Sequence, residues 1–271
     1  MPELPEVEIT RRGLSPHVIG RKVTGVIVRD RRLRWPVPGA LIRTLPGAQV
    51  ETLERRAKYL LLRTSRGTVI LHLGMSGSLR VTATDTAPEP YDHVEIQLDN
   101  GRCLRLRDPR RFGCVLWTTV DPHRHPLLCH LGPEPLAPHL QAADLCARSR
   151  GRRVAIKHFL MNSRMVAGLG NIYVNEALFL AGIHPLRSAG RIACARYEPL
   201  VAAIQQVLEE SLRQGGTTLR DFRNGEDRPG YFQLHLRVYQ RAGAPCVTCA
   251  RPVQGIRQGQ RSTFYCSHCQ R

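Results

Sequence analysis

Near its end the chain reads PCVTC at 245–249 and YCSHC at 265–269, so two Cys-x2-Cys pairs stand sixteen residues apart. Few folds accommodate that spacing. Two knuckles joined by a hairpin carry four thiolates to the corners of a tetrahedron, the arrangement a structural zinc ion demands. Cys246, Cys249, Cys266 and Cys269 are the expected ligands of one Zn2+. A site closed by four cysteines has no open coordination position, so the ion holds a loop and does no chemistry. The alternative, a pair of disulfides, needs an oxidising compartment, and the acidic, proline-interrupted N-terminus is unlike a secretion signal. The segment held between the knuckles carries Arg251, Arg257 and Arg261, and residues 241–271 contain five Arg and no Asp, Glu or Lys. A guanidinium at a hairpin tip suits phosphate because its planar fork donates in pairs. Arg251 and Arg257 read better as solvated surface charges.

The whole chain repeats that charge bias. Its 271 residues carry 40 Lys and Arg against 22 Asp and Glu, a formal +18, and such a field gathers polyanions from beyond contact distance. Nucleic acid is the expected partner. The basic residues are scattered rather than collected on one amphipathic helix, and no apolar run approaches the roughly 20 residues of a membrane span, so a membrane partner is not expected. The expected setting is the cytoplasm, with the chain a monomer on the nucleoid. In that setting Cys103, Cys114, Cys129, Cys146 and Cys194 read as reduced and structural.

Periodicity divides the chain in three. Residues 3–13 read as a helix with Gly13 as its stop, and seven short β-like runs follow: KVTGVIVRD, AQVETLERR, KYLLLRT, GTVILHLG, HVEIQLD, RCLRLRD and GCVLWTT. DNG at 99–101 is a hairpin signal, and so many short runs predict an antiparallel sandwich or barrel. Residues 121–138, rich in Pro and His, read as a linker. Helical patterns then occupy LQAADLCARS, VAIKHFLMN, NIYVNEALFLAG and RYEPLVAAIQQVLEESLRQ, and the Gly-rich loop QGGTTLRDFRNGEDRPGYF leads into the cysteine tail.

Within the helical part, GLGN places a glycine turn ahead of a helix, with Asn171 as the expected cap and free backbone N–H groups suited to phosphate. Arg152, Arg153 and Lys157 precede it. At the front, MPELPEVE becomes chemically interesting once Met1 is removed, because Pro2 then presents a secondary amine. Joined to a sugar carbon, a pyrrolidine nitrogen gives an iminium that is cationic at every pH and promotes elimination of the phosphate beyond it. Glu3, immediately beside it, is placed to protonate the sugar ring oxygen.

MPELPEVE, RRAKYLLL, HLGMSGSLR, DPRRFG, HLGPEPL, GLGNIY, AGIHP, QGGTTLRDF, GYF and QRSTFYC follow one another from the first residue to the last. In that order they resemble the bacterial formamidopyrimidine-DNA glycosylases, repair enzymes for 8-oxoguanine. The resemblance implies an α+β chain: an N-terminal antiparallel β-sandwich with a helix, a helix-two-turn-helix domain and a four-cysteine zinc-finger hairpin, with DNA between the halves. The boundaries expected are 1–120 for the catalytic sandwich, 121–138 for the linker, 139–240 for the helical DNA-binding domain and 241–271 for the zinc finger. It also implies roles. Pro2 would be the nucleophile, Glu3 the acid, Lys58 a cation and proton donor for β-elimination, and Arg261 an aid to δ-elimination that clamps phosphate. Met75, Arg110 and Phe112 would fill the gap left by an everted nucleotide; by composition alone Met75 and Phe112 read as core. His72, Arg152, Lys157 and Asn171 would contact phosphate. Tyr91 stands where the family often has a histidine on the DNA backbone.

The implied activity is excision of 8-oxoguanine and formamidopyrimidines from double-stranded DNA through a proline Schiff base, then strand cleavage by β,δ-elimination at the abasic site. Three other readings compete: an endonuclease VIII-like glycosylase for oxidised pyrimidines, a zinc-finger DNA-binding protein without catalysis, and a proline-based tautomerase. The wedge DPRRFG and the loop QGGTTLRDFRNGEDRPGYF favour oxidised purines; a tautomerase explains neither the charge nor the zinc finger.

Overall fold

A computed structural model of the chain describes residues 2–215 and 236–271. Contacts divide it into two compact units, one built on the residues up to Cys129, the other on 130–213 and the described residues from 236 onward. Among the described residues, no helix is long and apolar enough to cross a membrane.

The first unit begins with α1 (Leu4–Val18), capped by Glu3 with Pro5 in the first turn. A capping box fixes this start: the Glu3 side chain accepts from the Glu6 N–H, and the Glu3 N–H donates to Glu6 Oε2 at 2.8 Å. The helix runs past Gly13, which does not stop it. A helix-interior glycine costs about 1 kcal/mol, whereas enclosing Leu14 and Val18 completely returns roughly 1.5–3 kcal/mol each.

Two four-stranded antiparallel sheets follow, ordered β1-β6-β7-β5 and β2-β3-β4-β8. The strands are β1 (Val23–Val28), β2 (Val50–Arg56), β3 (Tyr59–Thr64), β4 (Gly67–His72), β5 (Ser78–Ala83), β6 (Asp92–Leu98), β7 (Arg102–Arg107) and β8 (Cys114–Thr118), with the short helix α2 (Gly39–Thr44) after β1. Leu79, Val94, Ile96, Leu104 and Leu106 from one sheet share a core with Leu53, Leu60, Leu62, Val69, Leu71 and Val115 from the other, and α1 adds Val7, Leu14 and Val18. This is the expected sandwich with its helix. The Asp99-Asn100-Gly101 turn joins β6 to β7, with Gly101 at φ 71°. Strand β5 and helix α2 were not anticipated. In β5 only Leu79 is a buried apolar side chain, and Arg80 is accommodated by ion pairs to Glu89 and Asp92.

The second unit gathers α3 (Ala142–Ser149), α4 (Ile156–Met161), α5 (Asn171–Leu180) and α6 (Tyr197–Arg213) with a hairpin of β9 (Gln254–Gln258) and β10 (Arg261–Tyr265). Helix α5 is its axis, buried continuously from Ile172 to Phe179. Glu176, fully enclosed on α5, accepts from the N–H groups of Arg237, Val238 and Tyr239 and so anchors the segment leading into the cysteine tail. One expectation is corrected here: Cys146 and Cys194 are joined by a disulfide, with Cα atoms 5.4 Å apart and 48 residues between them in sequence. The packing of α3 against the turn ahead of α6 brings the two sulfurs together, which spacing along the chain does not reveal. Cys103, Cys114 and Cys129 are free thiols.

Candidate active site and nucleic-acid contacts

In the first unit, Pro2 and Glu3 are buried directly ahead of α1, Glu3 being 2 % exposed. Because the capping box ties Glu3 to Glu6 through both backbone and side chain, the direction in which Pro2 leaves the helix is set by the helix itself. One turn on, Glu8 takes Arg11, Arg12 and Arg55 on its two oxygens at 2.8, 2.9 and 3.2 Å. Burial by itself would raise the Glu8 carboxyl, but hydrogen bonds from Arg11 and Arg12 and the charges of Arg11 and Arg55 outweigh it and lower the pKa to about 2. Arg55 also donates to the carbonyl of Ala57 at 3.1 Å. A single chain of polar contacts therefore runs from the proline helix to the turn that carries Lys58. Sequence reasoning passed over Glu8 and Arg55, although the motifs MPELPEVE and RRAKYLLL contain them.

Lys58 occupies the two-residue turn between β2 and β3, beside Ala57 at φ 54°. The β3–β4 register sets Tyr59 against His72, with ring centroids 4.8 Å apart. Burial, with the charges of Lys58 and Arg34 nearby, lowers the His72 pKa to about 4. His72 is therefore neutral at physiological pH. Its Nδ1 accepts the Gly74 N–H at 2.9 Å, which assigns the remaining proton to Nε2. It can meet a phosphate as a neutral donor but not as a cation.

Met75, Phe112 and Tyr91 are 40 %, 43 % and 51 % exposed, so the core reading of Met75 and Phe112 does not hold. Arg110 lies over the Phe112 ring at 4.9 Å. A residue that sequence reasoning left unremarked inside DPRRFG organises them. Asp108, fully buried, accepts from Gly113 N–H at 2.7 Å and Ser76 Oγ at 3.3 Å, and its own N–H donates to the Tyr91 carbonyl at 3.0 Å. The Met75 turn, the Phe112 turn and Tyr91 are thus pinned to one carboxylate and its backbone. Gly74 makes the approach feasible: a Cβ there would lie 2.5 Å from Gly113 N. Non-glycine residues in left-handed backbone recur here, with Tyr91 at φ 74° and Arg111, between Arg110 and Phe112, at φ 57°.

In the second unit, Cys246, Cys249, Cys266 and Cys269 place their sulfurs within 4.8 Å of one another. The Cys249–Cys266 and Cys246–Cys269 separations are 3.5 and 3.9 Å, close to the ~3.8 Å edge of a tetrahedron with metal–sulfur bonds of about 2.3 Å. The donor set fits one structural zinc ion. Gln270 locks the knuckle to the helices, accepting from Cys266 N–H and donating to the Ile183 carbonyl, at 2.8 and 2.9 Å. Arg261 is exposed at the start of β10, next to the hairpin turn at Gly259 (φ 60°).

Two expected phosphate contacts face that hairpin. Asn171 is the first residue of α5, with Gly170 as the cap in its place, and its Nδ2 donates to the Ser262 carbonyl at 3.1 Å. Lys157 is turned inward rather than toward solvent: its ammonium is fully buried, on Ser262 O at 2.8 Å and Thr263 Oγ1 at 2.7 Å. Asn175, also unremarked in the sequence, accepts from Phe264 N–H at 2.9 Å. Three side chains of α4 and α5 thereby fix the strand on which Arg261 stands. Arg152 lies apart from them, exposed beyond α3.

Family comparisons agree with this layout. Residues 1–115 match the formamidopyrimidine-DNA glycosylase N-terminal domain, 131–223 the formamidopyrimidine-DNA glycosylase H2TH domain, and 243–271 the zinc finger found in FPG and IleRS. Formamidopyrimidine-DNA glycosylases of Thioalkalivibrio sulfidiphilus and Syntrophotalea carbinolica are 58% and 56% identical over 271 residues, covering all of both chains. The crystal structure of the MutM (Fpg) protein of Thermus thermophilus superimposes with a TM-score of 0.90 at 36% identity, over 99% of this chain and 98% of that one. The Lactococcus lactis Fpg in complex with abasic-site DNA gives 0.92 at 30% identity over 99% of each. The chain belongs to the formamidopyrimidine-DNA glycosylase family.

Proposed function

We propose that this chain, a DNA glycosylase of base excision repair, removes 8-oxoguanine and formamidopyrimidines from duplex DNA and then cleaves the strand by β,δ-elimination. It acts as a monomer on DNA in the cytoplasm. The observation that carries the reading is the buried Pro2-Glu3 pair, held in one direction by the capping box at the front of α1, in a chain related to this family from end to end.

After Met1 is removed, the Pro2 nitrogen attacks C1′ of the damaged nucleotide and displaces the base, which leaves with the proton the amine gives up; Glu3 then protonates the ring oxygen as the C1′–O4′ bond opens. The tertiary iminium that results holds its charge without a proton. It acidifies C2′, whose proton passes to solvent as the C3′–O bond breaks and the 3′ phosphate departs; loss of the C4′ proton then lets the C5′–O bond break and releases the 5′ phosphate. Lys58 supplies a cation beside the lesion phosphate, and His72 adds a neutral hydrogen bond. Met75, Arg110 and Phe112, exposed on turns that Asp108 fixes, replace the stacking and pairing lost when the nucleotide is everted. Tyr91 meets the backbone through its hydroxyl. In the second unit Arg261 and Arg152 grip phosphate, with Asn171 at the entrance to α5. Lys157 acts by holding the hairpin. The zinc ion keeps that hairpin folded and takes no step in the reaction.

The preference for oxidised purines draws support from DPRRFG and the family; the loop QGGTTLRDFRNGEDRPGYF lies, from residue 216, outside the described residues. Borohydride added to the protein with an 8-oxoguanine duplex is expected to trap a covalent adduct that mass spectrometry locates on Pro2. Pro2→Gly should lose nearly all incision. An adduct on another side chain would refute the mechanism, and faster incision at oxidised pyrimidines would move the specificity to the endonuclease VIII type.

A further inference from the structure

Several arginines of the first unit are matched by acids: Arg80 with Glu89 and Asp92, Arg105 with Asp92 and Glu95, Arg55 with Glu8. The second unit contains a group that is not. Arg152 and Arg153 follow α3, and Arg187 and Arg191 lie on the segment joining α5 to α6; all four are exposed, and no carboxylate pairs with them among the described residues.

The backbone draws these two segments together. Ser188 pairs with Ala155 as an isolated bridge, the Ala189 N–H donates to Val154 O and the Gly190 N–H to Arg152 O, at 2.9 and 3.0 Å. Gly190 permits the approach, since a Cβ there would sit 2.8 Å from Arg152 O and 3.0 Å from both Arg152 N and Ser149 O. The result is an open groove of about 400 Å³ lined by Gly151, Arg152, Arg153, Ser188, Gly190 and Arg191. A second groove of about 320 Å³ adjoins it at Arg191 and adds Arg187, Arg196 and Arg271 over an apolar floor of Ile183 and Ile192. Arg196 is committed to the floor, donating to the carbonyls of Ala181 and Gly182. Among the described residues, none offers a hydrogen bond or ion pair to the other guanidiniums.

Four exposed guanidiniums brought together with no carboxylate beside them favour an anionic partner, and a row of forks along an open groove fits phosphates spaced along a chain rather than a single enclosed ion. We propose that Arg153, Arg187 and Arg191, together with Arg152, form a second phosphate-binding track on the helical unit that takes the sugar–phosphate backbone of undamaged duplex. The track supplies sequence-independent affinity for searching DNA, not chemistry. It rests on the reading of the chain as a duplex-binding enzyme, which extends the same partner beyond the hairpin and the α5 entrance.

The test compares the full-length protein with an Arg153→Gln/Arg187→Gln/Arg191→Gln variant of unchanged melting temperature and zinc content. Affinity for a long undamaged duplex is measured between about 50 and 300 mM salt, with inorganic tripolyphosphate titrated separately. The expected result is a log–log salt slope smaller by about 2 to 3 in the variant, since each phosphate contact contributes about 0.9, and an affinity deficit that shrinks as salt rises. Equal slopes overturn the proposal. If the slopes agree and only the parent protein binds tripolyphosphate, the groove is a free-polyphosphate site and the DNA assignment is wrong. A parent protein that binds no duplex at any salt overturns the glycosylase reading itself.

Discussion

His72 shows what a residue's neighbours do to its chemistry. The His-Leu-Gly motif marked it as a phosphate contact without saying in which charge state. Packing against Tyr59, with Lys58 and Arg34 near, brings its pKa to about 4, so it donates as a neutral ring. The sign of the pH effect follows. Between its unfolded value of 6.5 and the folded value of about 4 the unfolded chain binds more protons, so this residue's contribution destabilises the fold as pH falls through that window and vanishes above it. NMR should show the His72 ring shifts flat from about pH 8 to pH 5.5; a midpoint near 6.5 would contradict the buried, neutral assignment. The same limit of legibility applies to Met75 and Phe112. An apolar side chain says core by itself, and only the turns built by Gly74, Asp108 and Gly113 show that these two are presented outward.

At the scale of elements, the runs whose hydrophobic alternation faces one core were legible: β3, β4, β6, β7 and β8 lie where the periodicity put them. Strand β5 was hidden because its charge is satisfied by residues on another strand and loop, which no local window contains. The end of α1 was misplaced for a related reason, tertiary burial outweighing a glycine's preference. How α1 is joined to the β2–β3 turn was equally invisible in sequence, since Glu8 and Arg55 are 47 residues apart. Glu8→Gln would leave Arg55 half-satisfied under α1. The expected loss is about 2 kcal/mol, below the cost of breaking a fully buried pair because Arg11 and Arg12 are partly solvated. Glu8 stabilises above its unfolded value of 4.5, and that share is lost as pH falls toward 2. Urea titrations at pH 7 and pH 3 should therefore show a gap between parent and variant that narrows on acidification; an equal gap at both would exclude the carboxylate's charge as its source.

Over the whole molecule, the charge excess, the order of β-rich and helical parts and the four-cysteine tail were legible, each being a property of composition or spacing. The disulfide between Cys146 and Cys194 and the inward turn of Lys157 were not, because both depend on which helix faces which. The zinc site links these scales. With Lys157, Asn171, Asn175 and Gln270 all bonded to the hairpin or its knuckle, removing the metal should loosen Arg261 while leaving the sandwich folded. Chelation is expected to abolish amide-exchange protection over 246–269 and to suppress incision, with protection in β3, β4 and β6 retained; a hairpin still protected without metal would show that protein contacts alone suffice.

Ala57, Tyr91 and Arg111 hold their left-handed backbone beside Lys58, at the proposed backbone contact and between Arg110 and Phe112. Conformations of this kind cost of order 1 kcal/mol or more each. Glycine at position 57 or 111 would relieve that expense and raise heat tolerance, yet it would also let the adjoining cation or wedge wander. Selection for a hardier protein and selection for a firm hold on damaged bases therefore pull these turns in opposite directions.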